Sequence, residues 1–349
     1  MPEFRFRGRR AAFIENQHVR VTTLKEGGHL AEIFDKESAI SPLWIPPWPS
    51  IEPSMYNSEE HPGYGAAGDA KLLSGIMGHN LCLDIFGGPS DEEYAAGMTP
   101  HGEGSVVPYE IRETGEELHL DARLPLAQIH FQRTITLFDR AVRIRENVES
   151  LSGFDRPVGW TQHVTFGPPF LERGVTEFRS SAGRSIVYET EFGTAAYLKT
   201  GAEFEWPVAP RLDGGASDLR IFNSAPVSSG YTAHLMDPER RHAFFVAFSP
   251  ASHLAFGYVW NRADFPWMGI WEENHSRTNA PWNGKTVTRG MEFGVSPMPE
   301  SRRTMVDRGR LFGVPTYRWL PARGKIEVEY YVIFQRTDSI PEVLDWPEH

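Results

Sequence analysis

Period-two alternation of apolar and polar residues recurs along most of this chain, and it confines the fold to one built from strands. Phe131-Gln132-Arg133-Thr134-Ile135-Thr136-Leu137 alternates in this way, and Val142-Arg143-Ile144-Arg145 repeats the pattern after a turn at Asp139-Arg140. Further strands are expected over 118–124, 186–188, 242–248, 254–260 and 326–334, with Gly, Pro and Asp between them. No stretch holds a 3.6-residue apolar stripe for more than about three turns, the length of an average helix. Short helical turns are expected only at 91–96 and near 341–344. No Ser, Pro or charge-rich linker divides the 349 residues and no internal repeat is present. The expectation is an all-β, antiparallel sandwich forming a single domain over residues 1–349.

Residues 41–104 break the strand rhythm. They contain Pro46-Pro47-Trp48-Pro49, Glu59-Glu60-His61-Pro62-Gly63 and Gly87-Gly88-Pro89-Ser90. Long irregular segments in compact domains are usually binding loops or lids. Trp44, Trp48, Tyr56 and Tyr64 either pin this loop to the sandwich or stack on a ligand ring whose C–H face is apolar.

Charge and cysteine count narrow the function. With 35 Lys and Arg against 46 Asp and Glu, the formal charge of −11 repels phosphate-rich partners, so neither nucleic acid nor an anionic membrane surface is expected. The lone Cys82 permits no internal disulfide and no Cys-based zinc site. The start, Met1-Pro2-Glu3-Phe4-Arg5-Phe6-Arg7, lacks an apolar h-region and no 18-residue apolar run follows, which points to the cytoplasm. Nothing in the sequence fixes the oligomeric state.

Three motifs carry the chemistry. His163 lies in Gly159-Trp160-Thr161-Gln162-His163-Val164-Thr165-Phe166, His101 in Pro100-His101-Gly102-Glu103-Gly104, and Glu292 in Gly290-Met291-Glu292-Phe293-Gly294. Two histidines and a carboxylate at strand edges or turns suit acid–base work on a small hydroxylated substrate. Alternation places Glu292 on the face opposite Met291 and Phe293. His79 and Asp84, in Gly78-His79-Asn80-Leu81-Cys82-Leu83-Asp84, are further binding candidates. A competing cluster, Trp267-Met268-Gly269-Ile270-Trp271-Glu272-Glu273-Asn274-His275-Ser276-Arg277, reads either as a strand end entering a solvated loop or as a sugar-binding rim. In the second reading Trp271 stacks on the ligand and Glu272 or Asn274 bonds hydroxyls. Glu272 with Glu292 also leaves open a two-carboxylate glycoside hydrolase.

His-Gly at 101–102, Thr-Gln-His at 161–163 and Gly-Met-Glu at 290–292, in that order and spacing, resemble the aldose 1-epimerase (galactose mutarotase-like) superfamily. The resemblance runs from about residue 25 to the end. It implies an antiparallel β-supersandwich, with His163 as the acid at the sugar ring oxygen and Glu292 as the base at the anomeric hydroxyl. His101 would help hold the ring-oxygen side. A substrate aspartate of the family is matched most nearly by Asp218, ahead of Asp237-Pro238. Where the family usually has Gly-Arg before the His-Gly pair, this chain has Gly78-His79, replacing an always-charged fork with a smaller, switchable donor.

Anomer interconversion needs a proton taken at the C1 hydroxyl and one given to the ring oxygen, which a carboxylate and an imidazole can exchange between directions. It calls for no cofactor and no metal. His79, His101 and His163 lack the close spacing of a metal-ligand set. Motifs for zincins, P-loops, dinucleotide folds and nucleophile elbows are all missing. A sugar is therefore the expected partner, bound either for epimerisation or by a carbohydrate-binding protein that keeps the cleft without the catalysis.

Overall fold

The computed structural model describes residues 3–65 and 68–347. Two antiparallel sheets, of twelve and eight strands, hold most of the strand residues of the described chain. The five strands that matter for function lie side by side in the larger sheet, in the spatial order His79–Asp84, Arg156–Phe166, Val287–Gly294, Trp267–Asn274 and Ser228–Met236. All neighbours in this series run antiparallel.

Alternation decides which side chains face the partner sheet. Trp160, Val164, Phe166, Met291 and Phe293 point inward to a core shared with Phe245, Phe256, Tyr258, Trp260 and Tyr330 of the smaller sheet. The Trp260 and Phe293 rings stack across this interface at 4.3 Å and 16°. Phe293 is fully buried, and truncating such a ring to alanine costs about 3–5 kcal/mol. The opposite face of the large sheet carries the other parity, including Thr161, His163, Thr165 and Glu292.

The strands expected from alternation are present, each one to six residues longer: Glu117–Leu124, Ile129–Phe138, Ala141–Ser150, His242–Ser249, Leu254–Asn261 and Lys325–Arg336. The segment expected at 186–188 is the end of Ala182–Val187. Two expectations need correcting. The stretch 41–104 is not wholly irregular, because His79–Asp84 is a central strand of the large sheet. Buried on both faces, it shows no polar–apolar alternation to read. Residues 341–344 are not helical. Among the described residues the α-helices are Ala70–Leu73, Asp91–Ala95 and Arg302–Arg308. The second begins with a capping box in which Ser90 and Glu93 each satisfy the other's backbone N–H. No helix of the described residues is long and apolar enough to cross a membrane.

Candidate active site

The register of the central strands places His163 directly across from Glu292 on one side and Asn80 on the other. His163 Nε2 lies 3.0 Å from Glu292 Oε1, and both side chains are nearly closed to solvent. The contact is close but poorly aligned, since Oε1 has no hydrogen bond of acceptable geometry. On the far side of the ring, Nδ1 is 3.0 Å from Thr165 Oγ1, which fixes the imidazole plane. Gly290 makes room for the carboxyl group: a Cβ built there would stand 2.4 Å from Glu292 Oε1.

His101 arrives from the loop rather than the sheet. Its own φ is +66° and that of Gly102 is +74°, and a Cβ on Gly102 would meet the Leu83 carbonyl oxygen at 2.2 Å. Only glycine therefore allows the turn that sets the His101 ring 4.7 Å from that of His163. Asn80 Nδ2 is 3.1 Å from both His101 Nδ1 and Ser105 Oγ. Ser105 gives its only proton to the Leu81 carbonyl at 2.6 Å, so its oxygen must accept from Asn80. The amide end thus faces His101, whose Nδ1 accepts, and the proton of the neutral ring sits on Nε2.

Burial governs the electrostatics. It raises the Glu292 carboxyl well above its usual value, because no charge nearby offsets the lost hydration. Burial, followed by repulsion from His101, holds His163 well below the usual 6.5. His101 is lowered to about 4, also by burial. Burial thus favours the uncharged form of each partner, the carboxylic acid of Glu292 and the neutral imidazole of His163.

The pair opens into a cavity of about 130 Å³ whose wall is mostly apolar, with Trp44, Trp271, Trp282, Phe86, Phe192 and Tyr231 in its lining. Trp271 lies 5.8 Å from the His163 ring. Trp44 stacks on Trp282 at 6.3 Å and Trp48 meets Trp282 edge-on at 5.0 Å. Trp48 Nε1 donates to the Leu73 carbonyl and Tyr64 donates to that of Pro49. Some aromatic residues of the loop thus anchor it, while Trp44 faces the cavity.

Of the residues expected at the site, His101, His163, Trp271 and Glu292 meet around this cavity. The others do not. His79 points between the sheets, 3.0 Å from Gln162 Oε1 and 3.1 Å from the Tyr258 hydroxyl, and burial lowers it to about 3. Asp84 shares the outer face but sits four residues beyond Asn80, buried against Arg156 and Arg302. Asp218 lies on a small separate hairpin, paired with Arg220 at 2.6 Å. Glu272 has the inward parity of Ile270; it bonds Ser228 and is 3.4 Å from the Tyr197 hydroxyl, with Arg289 as its nearest cation. Asn274, of the same parity, donates to the Ala225 carbonyl at 2.6 Å. Glu272 and Glu292 therefore occupy opposite faces of the sheet and cannot flank one bond. The three histidines do not converge either.

Sequence reasoning passed over Asn80, Asp69, Tyr231 and Gly290. Asn80 lies on a strand buried throughout, and only the pairing of that strand aligns it with His163. Asp69, Tyr231 and Gly290 had no local signal.

No family model matches this chain, and no curated protein matches it in sequence. Solved structures do match. A candidate aldose 1-epimerase from Klebsiella pneumoniae superposes with a TM-score of 0.65 at 13% identity, covering 95% of this chain and 80% of its own. A galactose mutarotase-like protein from Lactobacillus casei gives 0.59 at 14%, covering 93% and 100%. A galactose mutarotase related enzyme from Lactobacillus acidophilus gives 0.58 at 11%, covering 95% and 99%. This chain has the galactose mutarotase-like fold. The mutarotase-like supersandwich expected from the three motifs is thus the observed architecture.

Proposed function

We propose that the protein is a mutarotase-like epimerase that interconverts the anomers of an aldose. The observation that carries this reading is the His163–Glu292 contact of 3.0 Å at the cavity wall, with His101 alongside. The oxygens to be served are the anomeric hydroxyl and the ring oxygen. Both are bonded to C1, so two adjacent protein groups can serve them.

One group takes the hydroxyl proton while the other delivers its proton to the ring oxygen, and the C1–O5 bond breaks to give the aldehyde. Rotation about C1–C2 and closure by the reverse transfers yield the other anomer, with the pair again holding one proton. With that proton on Glu292, as burial favours, Glu292 is the acid and neutral His163 the base. The assignment implied by family resemblance is the ionised tautomer of the same pair, and the reaction visits both as it reverses. His101, with its proton on Nε2, supplies a neutral donor. Each positioned acid or base contributes typically ~10²–10⁴-fold.

The test is an NMR exchange or polarimetric screen of anomerisation over common and acidic aldoses. Acceleration of any of them above the buffer rate supports the reading. Saturable binding without acceleration would instead make the chain a carbohydrate-binding protein.

A further inference from the structure

Arg277 is the one cation among the described residues lining the cavity. Its guanidinium lies over Trp282 at 4.7 Å, Trp271 at 5.7 Å and Phe192 at 6.0 Å. Its only ion pair among the described residues is with Glu273, 3.4 Å from Nε. Both Glu273 oxygens are already engaged by Ser276 and the Arg277 backbone N–H. Neither terminal nitrogen of the guanidinium makes a hydrogen bond within the described chain, so the donor edge of a planar fork is held by stacking and left open. Trp271 is the common neighbour of this fork and of His163.

The rest of the wall sharpens the point. A hexuronic acid keeps the ring hydroxyls of a hexose and differs only at C6, where a carboxylate replaces the hydroxymethyl group, so a cation on the wall is what would select it. Beyond the catalytic trio, Asp69 and Arg277, the lining is aromatic or aliphatic, and the Tyr231 hydroxyl is spent on the Pro297 carbonyl at 3.0 Å.

Building on the epimerase reading, we propose that the substrate is a hexuronic acid, its carboxylate held by the Arg277 fork while C1 lies against His163 and Glu292. A planar carboxylate fits two parallel guanidinium donors. Glu273 meets the guanidinium at Nε, so the two terminal nitrogens are the ones a carboxylate would engage. Trp271 lies between the two ends of the site, where the apolar face of the ring can stack.

The experiment compares anomerisation of D-glucuronate and D-galacturonate with that of D-glucose, D-galactose and D-glucose 6-phosphate, using the wild-type chain and Arg277→Gln. We expect the uronates to be preferred, and Arg277→Gln to lower kcat/KM for them by about 10- to 100-fold relative to the neutral sugars. Arg277→Lys keeps the charge and loses the fork, so it should recover only part of the preference; circular dichroism establishes that each variant is folded. Acceleration of neutral sugars or of the 6-phosphate with no preference for uronates overturns this proposal and leaves the epimerase reading standing. If no sugar is accelerated, tryptophan fluorescence titration with D-glucuronate separates the two. Saturable quenching lost in Arg277→Gln retains the carboxylate site without the epimerase, and flat titrations overturn both.

Discussion

Gly290→Ala tests the site through a residue that has no chemistry of its own. The added methyl group would lie 2.4 Å from Glu292 Oε1 and 3.2 Å from Trp271 Cβ, whereas ordinary contact begins at 3.4 Å. The carboxyl group must therefore retreat by about 1 Å, a displacement that can cost ~10²-fold in rate when a reacting group is misplaced. Stability should change far less. The atom in the way is the mobile end of a side chain, φ at Gly290 is not in the left-handed region, and mild overpacking costs about 1–3 kcal/mol. Gly183→Ala in another strand of the same sheet, where the nearest atom is 3.8 Å from the new Cβ, is the control. Anomerisation is followed by NMR exchange and folding by thermal melting. A Gly290→Ala protein that melts near the wild-type temperature and retains its full rate would mean that the position of the Glu292 carboxyl is immaterial, and the acid–base assignment would fall.

Glu292→Gln and His163→Asn should each reduce the rate by roughly 10²-fold or more. Glu272→Gln, on the other face of the sheet, should leave the rate of the folded protein unchanged; equal losses at 272 and 292 would contradict the strand parity described above. The one-proton state of the pair runs from the lowered value of His163 up to the raised value of Glu292. Activity should accordingly extend over the range in which Glu292 is protonated and His163 neutral, and a pH–rate profile whose alkaline limb lies at the ordinary carboxyl value of 4.5 would refute the burial argument. His79 is neutral in the fold with a value of about 3, against 6.5 when unfolded. Only the unfolded chain takes up its proton as pH falls below 6.5, so this residue's contribution to stability is lost progressively from 6.5 down to about 3. Between pH 7.5 and 5.5 the loss is about 1.4 kcal/mol. His79→Gln, which can still donate to Gln162 and accept from Tyr258, should show a correspondingly smaller drop in calorimetry.

The legible part of the site followed from local pattern. Met291 and Phe293 declared the inward face of their strand, and Glu292 between them had to face outward. His101 beside Gly102 announced a turn that only glycine permits. Where the pattern failed, the reason was burial on both faces. His79–Asp84 lies between two strands of one sheet and has cover above and below, so its residues show no alternation, and His79 could not be told from Asn80. Glu272 misled for the same reason: a carboxylate beside a tryptophan resembles a binding rim unless the parity of Trp271 is known.

Sequence alone determined the strand periodicity, and with it the all-β class and the outward face of Glu292, because a two-residue repeat is a property of neighbours in the chain. The resemblance of three short motifs singled out His101, His163 and Glu292 as candidates. Tertiary structure alone decided which strands lie side by side. His163 and Glu292 are 129 positions apart in sequence and meet because their strands pair in one register, and a slip of one residue would send one of them into the core. The same long-range pairing brings Trp44, Trp271 and Trp282 around one small space and leaves the Arg277 fork open towards it, an arrangement with no counterpart in local sequence.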